Sequence, residues 1–596
     1  MSSKQLKRRR VLMEAVNALR MESLEQRRLL STDCQVFNGS DLKIFGDDSN
    51  TNNHIVLSYS NPNLTVTDSA AGATPACASI NMSSISTIEI FGGQTSTSTS
   101  TGNDFIDASA APIRVTIFGQ DGADSLFGSA FGDSLVGSSG ADSLVGNDNA
   151  DTIFGDSGND SIFGGAGEDS LIGGADDDSL YGGDNSDSLF GDSDDLEDTV
   201  TTGNDSLVGG LGDDHLFGGP GDDFVGATVS NSEAGNDEMF GGPGDDYVNG
   251  GNNNDTVWGD GHETSFSGSG AGRDSIYGGL GIDEIAYEER EDDLYVSIAD
   301  TLDVNGKVTT WAAISSATQS SNVVTITAPS HGLNNGDIVI IIGVVPDVFN
   351  GVYTITSHTT NTFSYSKSGS AGAAKHVGSY AKPEERDYVD PDIENICTGP
   401  GDDYAMGNGD ENLIKTEDGD DSLRGGVGAD SLHGGDGIDW ADYGEKTGAL
   451  RLSLDGVLND GENGGDEGDE LGNSAVTGQG DIENILSGTG GDAITTNSDH
   501  NIVIAGEGDD TVTATSGGND LIWGDGGNDR ISSGSGSDTI FGGDGVDSIR
   551  GGDGGDSILA EAGNDSVWGE GGLDTIYGGD GADSLSGDDG ADSDGQ

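Results

Sequence analysis

From Gly119 to Gly226 the chain restates a nine-residue phrase, Gly-Gly-x-Gly-x-Asp-x-aliphatic-x, and holds its phase almost throughout. Successive copies read GGAGEDSLI from Gly164, GGADDDSLY from Gly173 and GGDNSDSLF from Gly182. A fixed period constrains the fold more tightly than local propensity does, because each unit buries its apolar residue only by stacking on a neighbour. Glycines at positions one, two and four suit a tight turn with positive φ and a backbone lying close to a ligand. The last three residues suit a minimal strand, in which alternation sends the aliphatic to one face and its neighbours to the other. Each repeat thus supplies one core residue, too little to offset the ordering of the rest. Stacked carboxylates add repulsion. The missing stabilisation must come from something that binds carboxylate and turn carbonyl oxygens together, and a hard cation with many oxygen ligands does so.

The phrase resembles the calcium-binding nonapeptide of the RTX (repeats-in-toxin, haemolysin-type) proteins. That resemblance implies an all-β chain: a right-handed parallel β-roll in which consecutive turns alternate sides, with Ca²⁺ between stacked turns as a multiple cofactor. It implies position-six ligands at Asp124, Asp133, Asp142, Asp151, Asp160, Asp169, Asp178, Asp187, Asp205, Asp214, Asp223, Asp237, Asp246, Asp255, Asp274 and Asp283 in the first array. Asp403, Asp421, Asp430 and Asp439 follow in the second, and Asp492, Asp510, Asp520, Asp529, Asp538, Asp547, Asp556, Asp565, Asp574 and Asp583 in the third. Asn412 and Asn501 stand at two such positions and are expected to offer an oxygen with less charge. A Gly/Asp/Ser composition alone also describes a disordered linker. The sustained phase of Asp and aliphatic decides for the roll.

With 107 Asp and Glu against 23 Lys and Arg, the net charge is −84. Arrays so acidic do not bind nucleic acid or an anionic membrane, and without a counter-cation they should repel themselves open. Cys34, Cys77 and Cys397 lie in different settings and suggest neither a disulfide framework nor a CxxC metal pair. No apolar run approaches the length of a transmembrane helix.

Residues 1–33 form a basic tail whose LEQRRLLS, Leu24 to Ser31, resembles the LEPR-XLL segment at the start of large bacterial surface or secreted repeat proteins, with Gln26 where that segment usually has Pro. It lacks the apolar stretch of a signal peptide. The resemblance implies an export-associated tail; a solvated basic helix is the other reading. Residues 34–118 carry LKIFG, HIVLSY, NLTVTD, STIEIFGG and IRVTIFG, strands by alternation and β-branched content, and are expected to form a β-helical cap over the first edge of the roll. The first array, 119–286, breaks phase at Leu196, gains five residues after Gly226 and breaks again around GHETSFSGS. The second spans 398–442 and the third 487–596, with a one-residue slip near Ala514. The chain stops at DGADSDGQ, still in phase, where substrates of type I secretion usually carry a further signal. Either the tail directs export or the chain is incomplete.

Two connectors share a plan. GIDEIAYEER from Gly281, with a connector strand in 287–307, reaches DIENI within 383–397; GIDWADYGEK from Gly437 reaches DIENI at the end of 443–486. Each carries Tyr (Tyr287, Tyr443), then Glu and a base (Glu289 and Arg290, Glu445 and Lys446). Neither adds a nucleophile or His, so end-capping of the roll is expected rather than catalysis. Between strand and DIENI of the first connector, residues 308–382 are inserted, with NVVTITA, GDIVIIIG, GVYTITS and NTFSYS. The order HGLNNGDIVIIIGV, FNGVYTIT, NTFSY resembles a small β-barrel module of phage tail proteins, related to the first catalytic-cysteine half-domain of ubiquitin-activating enzymes. That half-domain is an accessory fold, so a binding or spacing role is implied.

Catalytic signatures fail. His262 and Glu263 open HETSF rather than HExxH, no G-x-S-x-G occurs, and Gly444-Glu445-Lys446-Thr447 lacks the Gly that precedes Lys in a P-loop. No long amphipathic or apolar region suits a toxin pore. Position nine faces away from the core yet is often aromatic, at Phe127, Phe154, Phe163, Tyr181, Phe190 and Phe217. Such a stripe marks surface glycans or other copies of the chain as partners, or packs only on itself. The expectation is a non-enzymatic, secreted or cell-surface structural or adhesive protein that folds on Ca²⁺. The alternative is an extracellular polysaccharide hydrolase or epimerase carried on the repeats.

Overall fold

A strand of three residues with one inward aliphatic holds only when parallel neighbours lie on both sides of it, and the repeats are spaced to supply them. The computed structural model describes residues 33–37, 40–46, 53–68, 77–92, 102–192, 202–226, 234–259, 274–280, 282–287, 294–297, 306–307, 312–320, 322–335, 337–342, 344, 349–368, 372–374, 379–381, 388–389, 391–454, 461–462, 469–471, 482–514, 517–587 and 593–595. The LEQRRLLS segment, Glu289, Arg290 and the His262 motif lie outside them.

Two units are distinguished, residues 1–161 and 162–596. In the first, one sheet runs Asp33–Phe37, Asp41–Phe45, Thr87–Phe91, Val115–Asp121, Ser134–Ser139, Thr152–Ser157, antiparallel only at its first pair. The other runs Cys77–Asn81, Asn63–Asp68, His54–Ser60, Phe105–Asp107, Ser125–Phe127, Ser143–Asp148, antiparallel at its first two pairs. Hairpins therefore close the start of both sheets, which shields the edge that a parallel stack leaves open. Repeats alternate between the sheets: Leu135 lies opposite Ile117 and Ile153, and Leu126 opposite Leu144. All are fully buried. Cys34 is disulfide-bonded, whereas Cys397 is buried and outside any disulfide. A bridge at the cap is a difference from the sequence expectation.

The second unit repeats the same parallel β-roll. Its first sheets carry Leu171, Leu189, Leu216 and Met239 on one side and Leu180, Leu207, Val225 and Val248 on the other. In the third array Ile540, Ile558 and Ile576 stack in one sheet, and Ile531, Ile549, Val567 and Leu585 in another. The stack keeps its order across the first phase break: Asp205 follows Asp178 at a separation of 27 residues, where 18 is usual.

Both connectors splice arrays in one way. The array-end strand Glu284–Tyr287 pairs directly with Asn395–Thr398, and Trp440–Asp442 with Asn484–Leu486. The insert is thus a side excursion. It folds as two antiparallel sheets around Ile326, Ile341, Phe349, Phe363 and Tyr365. Ala312–Ala313, Ser379–Ala381, Ile338–Ile342 and Gly351–Thr354 form one sheet; Ser357–His358, Thr362–Ser366, Val323–Thr327, Ser316–Ser320 and Gly372–Ala373 form the other. The expected closed barrel is not formed among the described residues, because the edge strands Ala312–Ala313, Ser357–His358 and Gly372–Ala373 are too short to continue a ladder from one sheet into the next.

Candidate metal centre

Position six ends the turn and precedes the strand, so its side chain swings into the corner between turn and core. From Asp124 to Asp574 every expected ligand is exposed by 5 % or less, and Asp583 is half-buried. One oxygen has a structural duty. Asp104 N–H donates to Asp124 Oδ1 at 2.6 Å, Asp124 N–H to Asp142 Oδ1 at 2.6 Å, and Asp142 N–H to Asp160 Oδ1 at 2.7 Å. The third array repeats this from Asp520 to Asp538 at 2.8 Å and from Asp538 to Asp556 at 3.0 Å. Each carboxylate thus reaches back one coil and bolts two coils together.

The other oxygen has none. In Asp124, Asp142, Asp187, Asp205, Asp214, Asp223, Asp255, Asp283, Asp439, Asp510, Asp520, Asp529, Asp538, Asp547, Asp556 and Asp565 the Oδ2 is buried without a hydrogen-bond partner. A buried carboxylate oxygen left so is costly, and its regular recurrence makes it a candidate ligand position. In most coils it lies against a position-one glycine, though Ala505, Ser533 and Ala560 take that place before Asp510, Asp538 and Asp565. A Cβ on Gly137 would stand 2.3 Å from Asp142 Oδ2 and 2.9 Å from the Gly155 carbonyl oxygen, so carboxylate and turn carbonyl of successive coils converge there. Gly137 is required for space; positive φ belongs to positions two and four, as at Gly165 and Gly167. Among the described residues no three His, Cys, Asp or Glu side chains form a metal group. Carboxylates enter one per turn, and carbonyls must complete any ligand shell, as suits a hard cation.

Burial dominates the electrostatics. It pushes Asp142 up to about 6 and Asp124 and Asp223 up to about 8, neighbouring carboxylates adding to the shift and the N–H from the previous coil opposing it. Asp421 and Asp439 are likewise pushed up to about 8. Protons on these groups are the alternative to a cation.

Some corners differ. Ser129 donates its N–H to Asp133 Oδ2 and its hydroxyl to Oδ1 at 3.0 Å, and Ser487 Oγ donates to Asp492 Oδ2 at 2.5 Å. Asn412 and Asn501 have a duty beyond offering oxygen: their Nδ2 donates to the carbonyls of Glu394 and Glu483 at 2.5 and 2.6 Å. One ladder is absent from the sequence expectations. Asn or Asp at position five accepts the N–H of the next coil, from Asp222 to Asn204 at 3.1 Å, Ile438 to Asp420 at 3.1 Å and Val546 to Asn528 at 3.0 Å. It points along the stack opposite to the position-six ladder. The recurrence of Asn and Asp before the position-six residue is its only sequence signal.

Among the described residues no helix is long and apolar enough to cross a membrane. No curated protein matches the chain. The pattern of the RTX calcium-binding nonapeptide repeat, in its four-copy form, matches residues 114–135, 127–162, 136–171, 163–195, 199–227, 232–261, 269–285, 406–441, 477–512, 514–540, 541–576 and 560–593. RTX nonapeptide repeats bind Ca²⁺ at multiple sites, and the convergence of lone carboxylate oxygens with turn carbonyls fits that ion. Matched over slightly more than half its length, this chain belongs to the RTX calcium-binding nonapeptide repeat family.

Proposed function

We propose that the chain is a secreted or cell-surface structural protein whose arrays fold by taking up Ca²⁺ at the position-six aspartates given above, except Asp133 and Asp492, whose Oδ2 atoms are answered by Ser129 and Ser487. The observation that carries this reading is the column of buried Oδ2 atoms with no hydrogen-bond partner, repeated coil after coil. Bound calcium supplies the positive charge and the oxygen affinity that these corners lack. Because the corner exists only when coils are stacked, binding energy is folding energy. In a low-calcium cytoplasm the chain stays open, and outside the cell it closes. The disulfide at Cys34 supports an oxidising compartment. The segment boundaries read from the sequence belong to this proposal, with the insert as an accessory module.

The outward aromatic residues support stiffening. Phe190, Phe217, Phe240 and Trp258 stack in file, with centroids 4.9, 4.5 and 4.2 Å apart and planes within 14°. Their faces are turned to one another, and Phe190 and Phe240 are buried. Phe163 and Tyr181, 43 % and 39 % exposed, are more open and provide the contact face for surface glycans or a second copy. Circular dichroism with millimolar Ca²⁺ and with chelator tests the central claim. The β signal should collapse on chelation, and an unchanged signal would sink the proposal. Cell fractionation tests the location, with recovery outside the cell or at its surface expected.

A further inference from the structure

The second connector differs from the arrays it joins. At the equivalent corners of Asp439, Asp510, Asp520 and Asp529, Oδ2 has no hydrogen-bond partner. Asp469 takes a position-six place, its Oδ1 accepting Asp430 N–H at 3.0 Å, but its Oδ2 accepts the Tyr443 hydroxyl at 2.6 Å. Lys446, three residues on and buried, donates Nζ to the Gly426 carbonyl oxygen at 2.5 Å, on the turn that leads to Asp430. At the far end of the connector, Ser487 Oγ supplies Asp492 Oδ2 at 2.5 Å. An ion network holds the segment in place. Arg424 pairs with Asp442 at 2.5 Å and with Glu445 at 3.2 Å, and Asp442 Oδ1 accepts Gly444 N–H at 2.9 Å.

We propose that the second connector is a calcium-independent clamp, in which the chain's own donors close the corners at Asp469 and Asp492 and Lys446 is a tethered cation on the turn carbonyl of Gly426. The proposal rests on the calcium reading of the arrays. An ammonium on a flexible stem is a compact charge with three donors, able to answer carbonyl oxygens where a divalent ion would sit. A hydroxyl on a carboxylate oxygen satisfies it without adding charge. The clamp therefore stays folded when calcium is withdrawn, and the arrays on either side refold from its edges as calcium returns.

Hydrogen exchange read by mass spectrometry on the full chain, with Ca²⁺ and with chelator, tests this. In chelator, peptides covering Tyr443–Lys446 and Leu486–Ile494 should exchange about tenfold more slowly than peptides covering Asp520–Phe541. Equal rates in the two sets overturn the clamp. Arrays equally protected with and without calcium overturn the calcium reading itself, a separate result. Ser487→Gly, which restores the position-one glycine, and Lys446→Met should each keep local protection with Ca²⁺ and lose about tenfold of it in chelator. Protection unchanged in chelator overturns the donors' role. Protection lost even with calcium shows a corner unable to take the ion, and overturns the substitution of one cation by the other.

Discussion

At position six, one oxygen of each aspartate is spent on the backbone of the previous coil, and the other faces a turn carbonyl across a narrow gap beside position one, which is glycine in most coils. A glycine at position one, where a Cβ would crowd both atoms, therefore matters to the corner. A Cβ at Gly551 would stand 2.4 Å from Asp556 Oδ2 and 3.0 Å from the Gly569 carbonyl oxygen. Gly551→Ala should therefore cost about 1–3 kcal/mol in the calcium-loaded state and raise the calcium needed for folding, measured by thermal melts across a calcium series. Positions six and eight were legible in the sequence because one residue type recurs there at a fixed period. The position-five ladder was not. Its residue varies among Asn, Asp and Ala, as in Asn528, Asp420 and Ala429, and its side chain lies near solvent, so no hydrophobic period announces it.

Connectors reverse a polarity. Along an array each N–H meets a carboxylate one coil on; at DIENI, Glu394 Oε2 accepts Asp283 N–H at 2.8 Å, and Glu483 Oε2 accepts Asp439 N–H at 3.0 Å. The next coil then finds a carbonyl where a backbone N–H is usual, and an amide donor is required. Asn412→Asp should bring two oxygens together and destabilise that splice by about 1–3 kcal/mol, read as a lower melting temperature. Both Asn residues follow the DIENI glutamate by 18 residues, a spacing visible in the sequence, yet their donor role depends on which backbone atom points inward. The insert carries the opposite lesson. Its strands were legible, whereas its closure was not, since pairing between edges depends on register over two or three residues. Because Glu284–Tyr287 pairs directly with Asn395–Thr398, replacing 308–382 by a short Gly/Ser linker should leave the calcium-dependent β signal intact in circular dichroism.

Across the whole chain, buried carboxyls make the calcium-free state sensitive to pH. Carboxyls held at about 6 to about 8 when folded bind protons more tightly than they do in the unfolded chain. Their contribution to stability is full below the ordinary carboxylate range and is lost as pH rises through about 6 to about 8. In chelator the β signal should thus persist near the acid end and fade through neutrality, and calcium uptake in that window should release protons into a weakly buffered solution. The constant spacing of the stack also has a mechanical side. Pulled by its ends, an array of 18-residue coils has its bolts loaded one after another, each coil freeing a fixed length of chain. A single molecule in an optical trap should lengthen in steps of about 60 Å in calcium, from about 3.3–3.6 Å per extended residue. The coil between Asp178 and Asp205 should release a longer step, since 27 residues are stored there.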